Sequence, residues 1–354
     1  MKAVLLTGNG GFDKLCYRED VPVPVAGPGE VLIRVAAAGV NNTDINTRTA
    51  WYSRAVTAPT EAVGETGFSD AQTADSGWTG AVPQFPRIQG ADACGTIVAV
   101  GAGVAADRIG ARVIVEPVFR DPAGDPFAAT YFGSEVDGGF AEFCRVPSRH
   151  AHAIVAPLSD VELASFPCAY SAAENMVIRA AVTRGDKVLV CGASGGVGSA
   201  AVQLARRRGA IVTAIAAADK LAAIAALGAE QVIARDADLA ACFGAEQFDV
   251  VIDSVGGDQF GTRLDALKRG GRYAVAGAIA GPIVNLDLRT LYLRDLRLIG
   301  CTILDPGVFA SLVRYIEAGE IRPLVSKVFP LAQIVAAQQA FLTKQHIGKI
   351  VLVP

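Results

Sequence analysis

The segment VLVCGASGGVGSAAVQLA, Val188 to Ala205, constrains the fold more than any other part of this 354-residue chain. A short β-forming run enters a glycine-rich turn, which opens at once into a helix-forming run. The pattern is AxGxxG, with Ala193 where the usual dinucleotide fingerprint begins with glycine. Gly195 and Gly196, flanked by Ser194 and Val197, let the backbone approach a phosphate, and Gly198 lets the helix lie close on its sheet. The helix start then offers unpaired N–H groups and a positive dipole end to a pyrophosphate. The same residues admit a second reading. GASGG satisfies GxSxG, the elbow that presents the nucleophile of a serine hydrolase, here Ser194. A hydrolase needs an acid and then a histidine downstream, and His346 is the only histidine that follows. The complete βα units after Gly198 favour the nucleotide reading, with the hydrolase as the alternative.

Those units run from 158 to 302. KVLVCG, AIVTAIA, QVIA, FDVVIDSVG, RYAVAGA and LRLIGCTIL are short apolar strands separated by helical stretches such as DKLAAIAALGA and DQFGTRLDALKRGG. This alternation predicts a parallel sheet covered on both faces, hence an α/β fold. Residues 1–157 instead read as short strands punctuated by Gly and Pro, the pattern of a partly closed all-β domain, and 303–354 return to mixed structure. Residues 53–84 show no period and form an insertion loop, either disordered or serving as a lid or binding loop.

The second strand of the α/β region ends Ala214-Ile215-Ala216-Ala217-Ala218, with no carboxylate to take a ribose 2′-hydroxyl. Removing that acid removes repulsion against a 2′-phosphate. Lys220 and Arg235 could supply positive charge there, which favours NADPH over NADH. Charged residues make up 19% of the chain with a formal net charge of −3, so no basic field exists to gather nucleic acid. No apolar run approaches the roughly 18–20 residues that a spanning helix needs, and the chain reads as soluble and cytoplasmic, without a membrane partner. Seven cysteines without a CxxC argue against a disulfide framework or a four-cysteine zinc lobe.

PGEVLIRVAAAGVNNTDI, RIQGADACGTIVAVG, DGGFAEFCRVP, the phosphate loop, FDVVIDSVGG, GGRYAVAGA and the terminal GKIVLVP together resemble the medium-chain dehydrogenase/reductase superfamily, in its zinc-free quinone oxidoreductase branch. The resemblance implies a GroES-like β-barrel catalytic domain, 1–157 with 303–354, and a Rossmann NADP-binding domain, 158–302. It also implies a homodimer, paired through LRLIGCTIL. Zinc-binding relatives carry a Cys where this chain has Asn41, and a His-Glu pair at Ala91 and Asp92. Only Cys168 survives at a ligand position, so no catalytic metal is expected. Without a Lewis acid, hydride transfer to a quinone, an α,β-unsaturated carbonyl or an enoyl thioester is easier than alcohol oxidation. The resemblance places Asn41 near the nicotinamide amide and gives Asp44 a loop-fixing role. It sets Arg48 and Tyr52 along the substrate cleft. Asn46 replaces a tyrosine of many quinone reductases. Ser171, Gly277, Ala278, Ile279 and Lys349 fall near the cofactor. A catalytically weak NADPH-binding regulatory protein is a further alternative.

Overall fold

The 11-residue strand Glu30–Val40 organises the first half of the protein. Val31, Ile33 and Val35 alternate inward against solvent-facing Arg34, and the strand then buries Ala37 to Val40 completely. In the computed structural model, which describes residues 1–120 and 124–354, it carries three antiparallel partners: Cys94–Val100, Phe143–Pro147 and the C-terminal strand Lys349–Val353. Ile350 faces Val40 and Leu352 faces Ala38, so the two ends of the sequence close one sheet. Among the described residues seven strands make up that sheet, and a three-stranded sheet containing Ala3–Leu6 accompanies it. Ile33, Ile97, Phe132, Phe140, Ile350 and Leu352 are fully enclosed in the core, each contributing about 1.5–3 kcal/mol by burial. This is the GroES-like β domain. The unit comprises Met1–Val56, Ala62–Cys168 and Phe309–Pro354.

The second unit comprises Thr57–Glu61 and Ala169–Val308. Its six strands are all parallel, in the order Gln231–Ala234, Ile211–Ala216, Lys187–Val190, Phe248–Asp253, Leu267–Val275, Arg297–Gly300. In chain order that is 3-2-1-4-5-6, the doubly wound Rossmann arrangement. A helix read over DQFGTRLDALKRGG is shorter than the sequence suggests. It spans only Phe260–Asp265, because Leu267 already pairs with Phe248 and begins the next strand. Asp253, at the end of its strand, is fully buried and accepts from Tyr273 Oη at 2.6 Å and Arg263 Nη1 at 3.0 Å. Its other oxygen accepts from Val255 N at 2.7 Å, which fixes the turn that follows.

The 53–84 insertion contains turns and one short 3-10 helix, Thr73–Asp75, without strands. Arg48 pins its base within the first unit. The fully buried guanidinium donates to Gly64 O at 2.6 Å, Gly10 O at 2.9 Å and Gln338 Oε1 at 2.9 Å, and lies 4.5 Å over the Phe12 ring. Burial pulls its pKa down to about 10. The expectation that Arg48 lines a substrate cleft is therefore corrected: its donors are committed to holding the insertion. Within the second unit, Thr60 N donates to Ile279 O at 3.1 Å, so part of the insertion belongs to the Rossmann unit.

Candidate active site

The phosphate loop explains its own irregularity. Gly192 adopts φ +66°, and a Cβ there would stand 2.8 Å from Val255 Cγ2. The left-handed turn thus falls one residue ahead of the motif, which leaves its first position open to the fully buried Ala193. A Cβ on Gly198 would meet Gly192 O at 2.2 Å, so that glycine sets the approach of the helix Gly196–Arg207 to its strand. Gly195 differs. An added Cβ would find nothing closer than 3.5 Å, and its backbone is extended. The protein's own packing does not require glycine there, whereas a phosphate pressed against the amides would. Gly195 is the N-cap, and no side chain caps the helix. This cradle fits a dinucleotide pyrophosphate.

The remaining predicted cofactor residues lie in the same unit, with one exception. Ser171 is buried on the helix Pro167–Arg179. Gly277, Ala278 and Ile279 follow the strand Leu267–Val275 and pack on the turn at Ser254–Gly257, where Ala280 N donates to Val255 O at 2.8 Å. Lys220 ends the 3-10 helix Ala218–Lys220 just past the second strand and is 5% exposed. Its pKa is lowered, first by burial, with Asp219 opposing and the nearby positive charge of Arg235 adding to the fall. Two cations therefore share the end of that strand edge, where Arg235 N also donates to Ala216 O at 2.8 Å.

The exception is Lys349, which lies in the first unit and anchors a buried polar network. Its ammonium is 2.7 Å from Asp92 Oδ2 and donates to Asn41 Oδ1, and both acid and base are almost fully enclosed. Asn41 Nδ2 donates to the same Asp92 oxygen at 2.8 Å, while Asp92 Oδ1 accepts from Cys168 N at 2.6 Å. The helix Asn42–Thr49 starts beside this network. Asn41 N donates to Asp44 Oδ2 at 2.7 Å and Gly90 N to Asp44 Oδ1 at 3.2 Å, so Asp44 closes the helix start as a capping box. Burial pushes Asp44 up to about pKa 7, against the pull of those amides and of Lys349. Asn46, on the same helix, is buried with its Oδ1 unpartnered.

Tyr52 Oη donates to Thr43 Oγ1 at 3.1 Å, and burial lifts its pKa to about 12. Three residues that sequence reasoning missed complete the site. Asp92 stood out only as the acid at a vacant ligand position. Tyr131, whose Oη is 3.0 Å from Cys168 Sγ, carries no motif. Trp78, from the insertion, stacks on the Tyr131 ring at 4.5 Å and 26°. Such a stack is visible only after folding.

Zinc does not fit these residues. Among the described residues, no group of three or more His, Cys, Asp or Glu is placed to hold a metal. Cys168 has Asn41 and Ala91 for neighbours at the positions concerned, and the Asp92 carboxylate is already neutralised by an ammonium.

Residues 27–157 match the family model of the alcohol dehydrogenase GroES-like domain, and 196–318 that of the zinc-binding dehydrogenases. A solved structure from Sinorhizobium meliloti 1021, described as an alcohol dehydrogenase, is 45% identical with TM-score 0.89, covering 100% of this chain and 96% of that one. The chain belongs to the medium-chain dehydrogenase/reductase superfamily, in its quinone oxidoreductase-like branch. A quinone oxidoreductase of Lama guanicoe is 27% identical over 99% of this chain and 97% of its own length. A 2-octenoyl-CoA carboxylase reductase, solved with NADP and 2-octenoyl-CoA, is 26% identical with TM-score 0.81, over 99% of this chain and 87% of that one. Membership of this oxidoreductase superfamily removes the hydrolase reading of Ser194, which sits in the phosphate loop of a Rossmann unit.

The two loop glycines give a paired prediction. Gly195→Ala changes folding stability by less than about 0.5 kcal/mol yet weakens binding of the reduced nicotinamide nucleotide at least about tenfold. Gly198→Ala costs about 1–3 kcal/mol through its backbone clash. Calorimetric affinity and thermal unfolding measure both, and wild-type affinity in Gly195→Ala contradicts the assignment of the cradle.

Proposed function

We propose that this oxidoreductase works without a metal, uses NADPH, and delivers hydride to a small conjugated acceptor: a quinone, an α,β-unsaturated carbonyl or an enoyl thioester. The observation that carries the reading is that Asn41 and Asp92, at positions where the resemblance puts zinc ligands, are instead joined to each other and to the ammonium of Lys349. A fixed ammonium there suits an acceptor whose conjugation spreads the developing negative charge. Each well-placed donor in a dry site is worth about 3 kcal/mol. A simple alcohol, which needs a Lewis acid to lower its pKa, suits the site poorly.

NADPH supplies the hydride. The helix start at Gly196 holds its pyrophosphate, and Lys220 with Arg235 take the 2′-phosphate, where no carboxylate stands against it. The solved relative that carries NADP supports this choice. Asn41 and Asn46 orient the nicotinamide and acceptor. Asn46 Oδ1 is a buried acceptor lacking a protein donor, a cost of about 1–3 kcal/mol that a ligand N–H would relieve.

The strand Arg297–Gly300 ends its sheet, and Leu298 on it is exposed, as are Ile283, Leu288, Tyr292 and Leu293 before it. An apolar edge of this kind supports a homodimer. No helix among the described residues is long and apolar enough to cross a membrane, and the proposed setting is the cytoplasm.

Purified protein mixed with NADPH and a panel of enones, quinones and enoyl thioesters should consume the cofactor with at least one class. No turnover on any class contradicts the reading. The Lys220→Ala, Arg235→Ala double variant should lose at least about tenfold in NADPH affinity with NADH affinity unchanged. An equal loss for both would remove the 2′-phosphate assignment. In sedimentation, wild type should run as a dimer and Leu298→Lys as a monomer, whereas a monomeric wild type rules out the edge pairing.

A further inference from the structure

Reduction of a conjugated carbonyl needs a proton as well as a hydride, and the network around Asp92 does not supply one. Lys349 is held in an ion pair, Asp44 is locked in the helix cap, and Tyr52 already donates to Thr43. Tyr131 brings a further hydroxyl against Cys168, beside that network. We propose that Tyr131 is the proton donor of this enzyme, with Cys168 and Trp78 as its positioning residues; this rests on the function proposed above.

Tyr131 ends the short strand Ala129–Tyr131, whose partner is Val118–Arg120. Its side chain is held at both ends. Trp78 stacks on the ring, and Cys168 Sγ pairs with Oη at 3.0 Å. The backbone that carries the thiol is itself fixed, because the Cys168 amide donates to Asp92 Oδ1, and Asp92 binds Asn41 and Lys349 through its other oxygen. A continuous chain of contacts thus runs from the acid to Asn41, whose place by family resemblance is beside the nicotinamide. Burial and the Asp92 charge push the thiol up to about 12 and hold the phenol well above its ordinary range, so both keep their protons at neutral pH. Tyr131 is itself buried, only 6% exposed.

Two electrons arrive with the hydride at the β-carbon, and the π pair moves to give an enolate. The Tyr131 O–H bond breaks as the α-carbon–hydrogen bond forms, leaving a saturated carbonyl, oxidised cofactor and a tyrosinate. The Cys168 thiol returns a proton to the tyrosinate, and water restores the thiol. Trp78 belongs to the 53–84 insertion, which thereby acquires a role: it sets the angle of the acid.

The test compares wild type with Tyr131→Phe, which keeps the ring and its stack on Trp78. In D2O, with an α-methyl enone, wild type should place deuterium on one face of the α-carbon. Tyr131→Phe should bind NADPH as wild type does, lose at least about a hundredfold in kcat, and give both configurations at that carbon. Cys168→Ala should lose less rate and shift the pH profile while keeping the configuration. Wild-type rate and single-face labelling in Tyr131→Phe overturn the assignment. A second arm needs no turnover: 4-nitrophenol titrated into the NADP+ complex reports oxyanion binding through its visible band. Binding at least about tenfold weaker in Tyr131→Phe supports the donor, and equal binding, or none to wild type, overturns it. If no acceptor is reduced by wild type while this second arm holds, the function proposed above fails and the donor assignment does not.

Discussion

The buried contact between Lys349 and Asp92 governs the rest of the site. Three chain segments distant in sequence meet on one carboxylate: the C-terminal strand through Lys349, the end of Glu30–Val40 through Asn41, and the start of the helix Pro167–Arg179 through the Cys168 amide. Three donor contacts, one from each segment, are what allow a carboxylate to remain wholly enclosed. Removing one partner of such a pair costs about 3–5 kcal/mol, because the other charge is left uncompensated. Gly39 shows how tight the arrangement is, since a Cβ there would lie 2.4 Å from Asp92 Oδ2 and 2.8 Å from Ala164 O.

In the proposed function that contact also decides the chemistry. In a site built for zinc, the metal holds the reacting oxygen and stabilises its charge. Here an ammonium and an amide occupy the neighbourhood; Asp92 takes part of the ammonium, and the Asn41 amide is taken up by Asp92, Gly39 and Lys349. The electrostatic support they offer is directional but weaker than a dication's. Conjugated acceptors meet that limit by spreading charge over several atoms. Tyr52 and Tyr131 are both kept protonated by burial, and with the Tyr52 hydroxyl spent on Thr43 the proposed donor is Tyr131. A site of this composition is suited to reduction more than to oxidation of alcohols.

The sequence disclosed those features that physics writes locally. The phosphate loop was legible because a strand, a left-handed glycine and a helix start must follow one another. The six parallel strands were legible because apolar runs alternated with helices. Even the departure at Ala193 was readable as tolerated, although its reason, the φ +66° turn at Gly192, needed coordinates. What stayed hidden depends on tertiary contact. Arg48 looked like a cleft residue, and only its three bonds to Gly10, Gly64 and Gln338 show it to be a buried pin. Lys349 read as a cofactor residue because its motif gave no hint of Asp92. Trp78 and Tyr131 are 53 positions apart by their numbers, and no period links a tryptophan in a loop to a tyrosine in a short strand.

In the proposed enzyme, hydrogen-bond donors around Asp92 do the work that a metal does in the zinc-binding relatives. The most direct measurement is the rate of NADPH consumption with a conjugated acceptor before and after exhaustive treatment with a strong zinc chelator, alongside elemental analysis of the protein. An unchanged rate in protein containing less zinc than enzyme is the predicted result. Loss of activity on chelation, restored by stoichiometric zinc, would contradict the account.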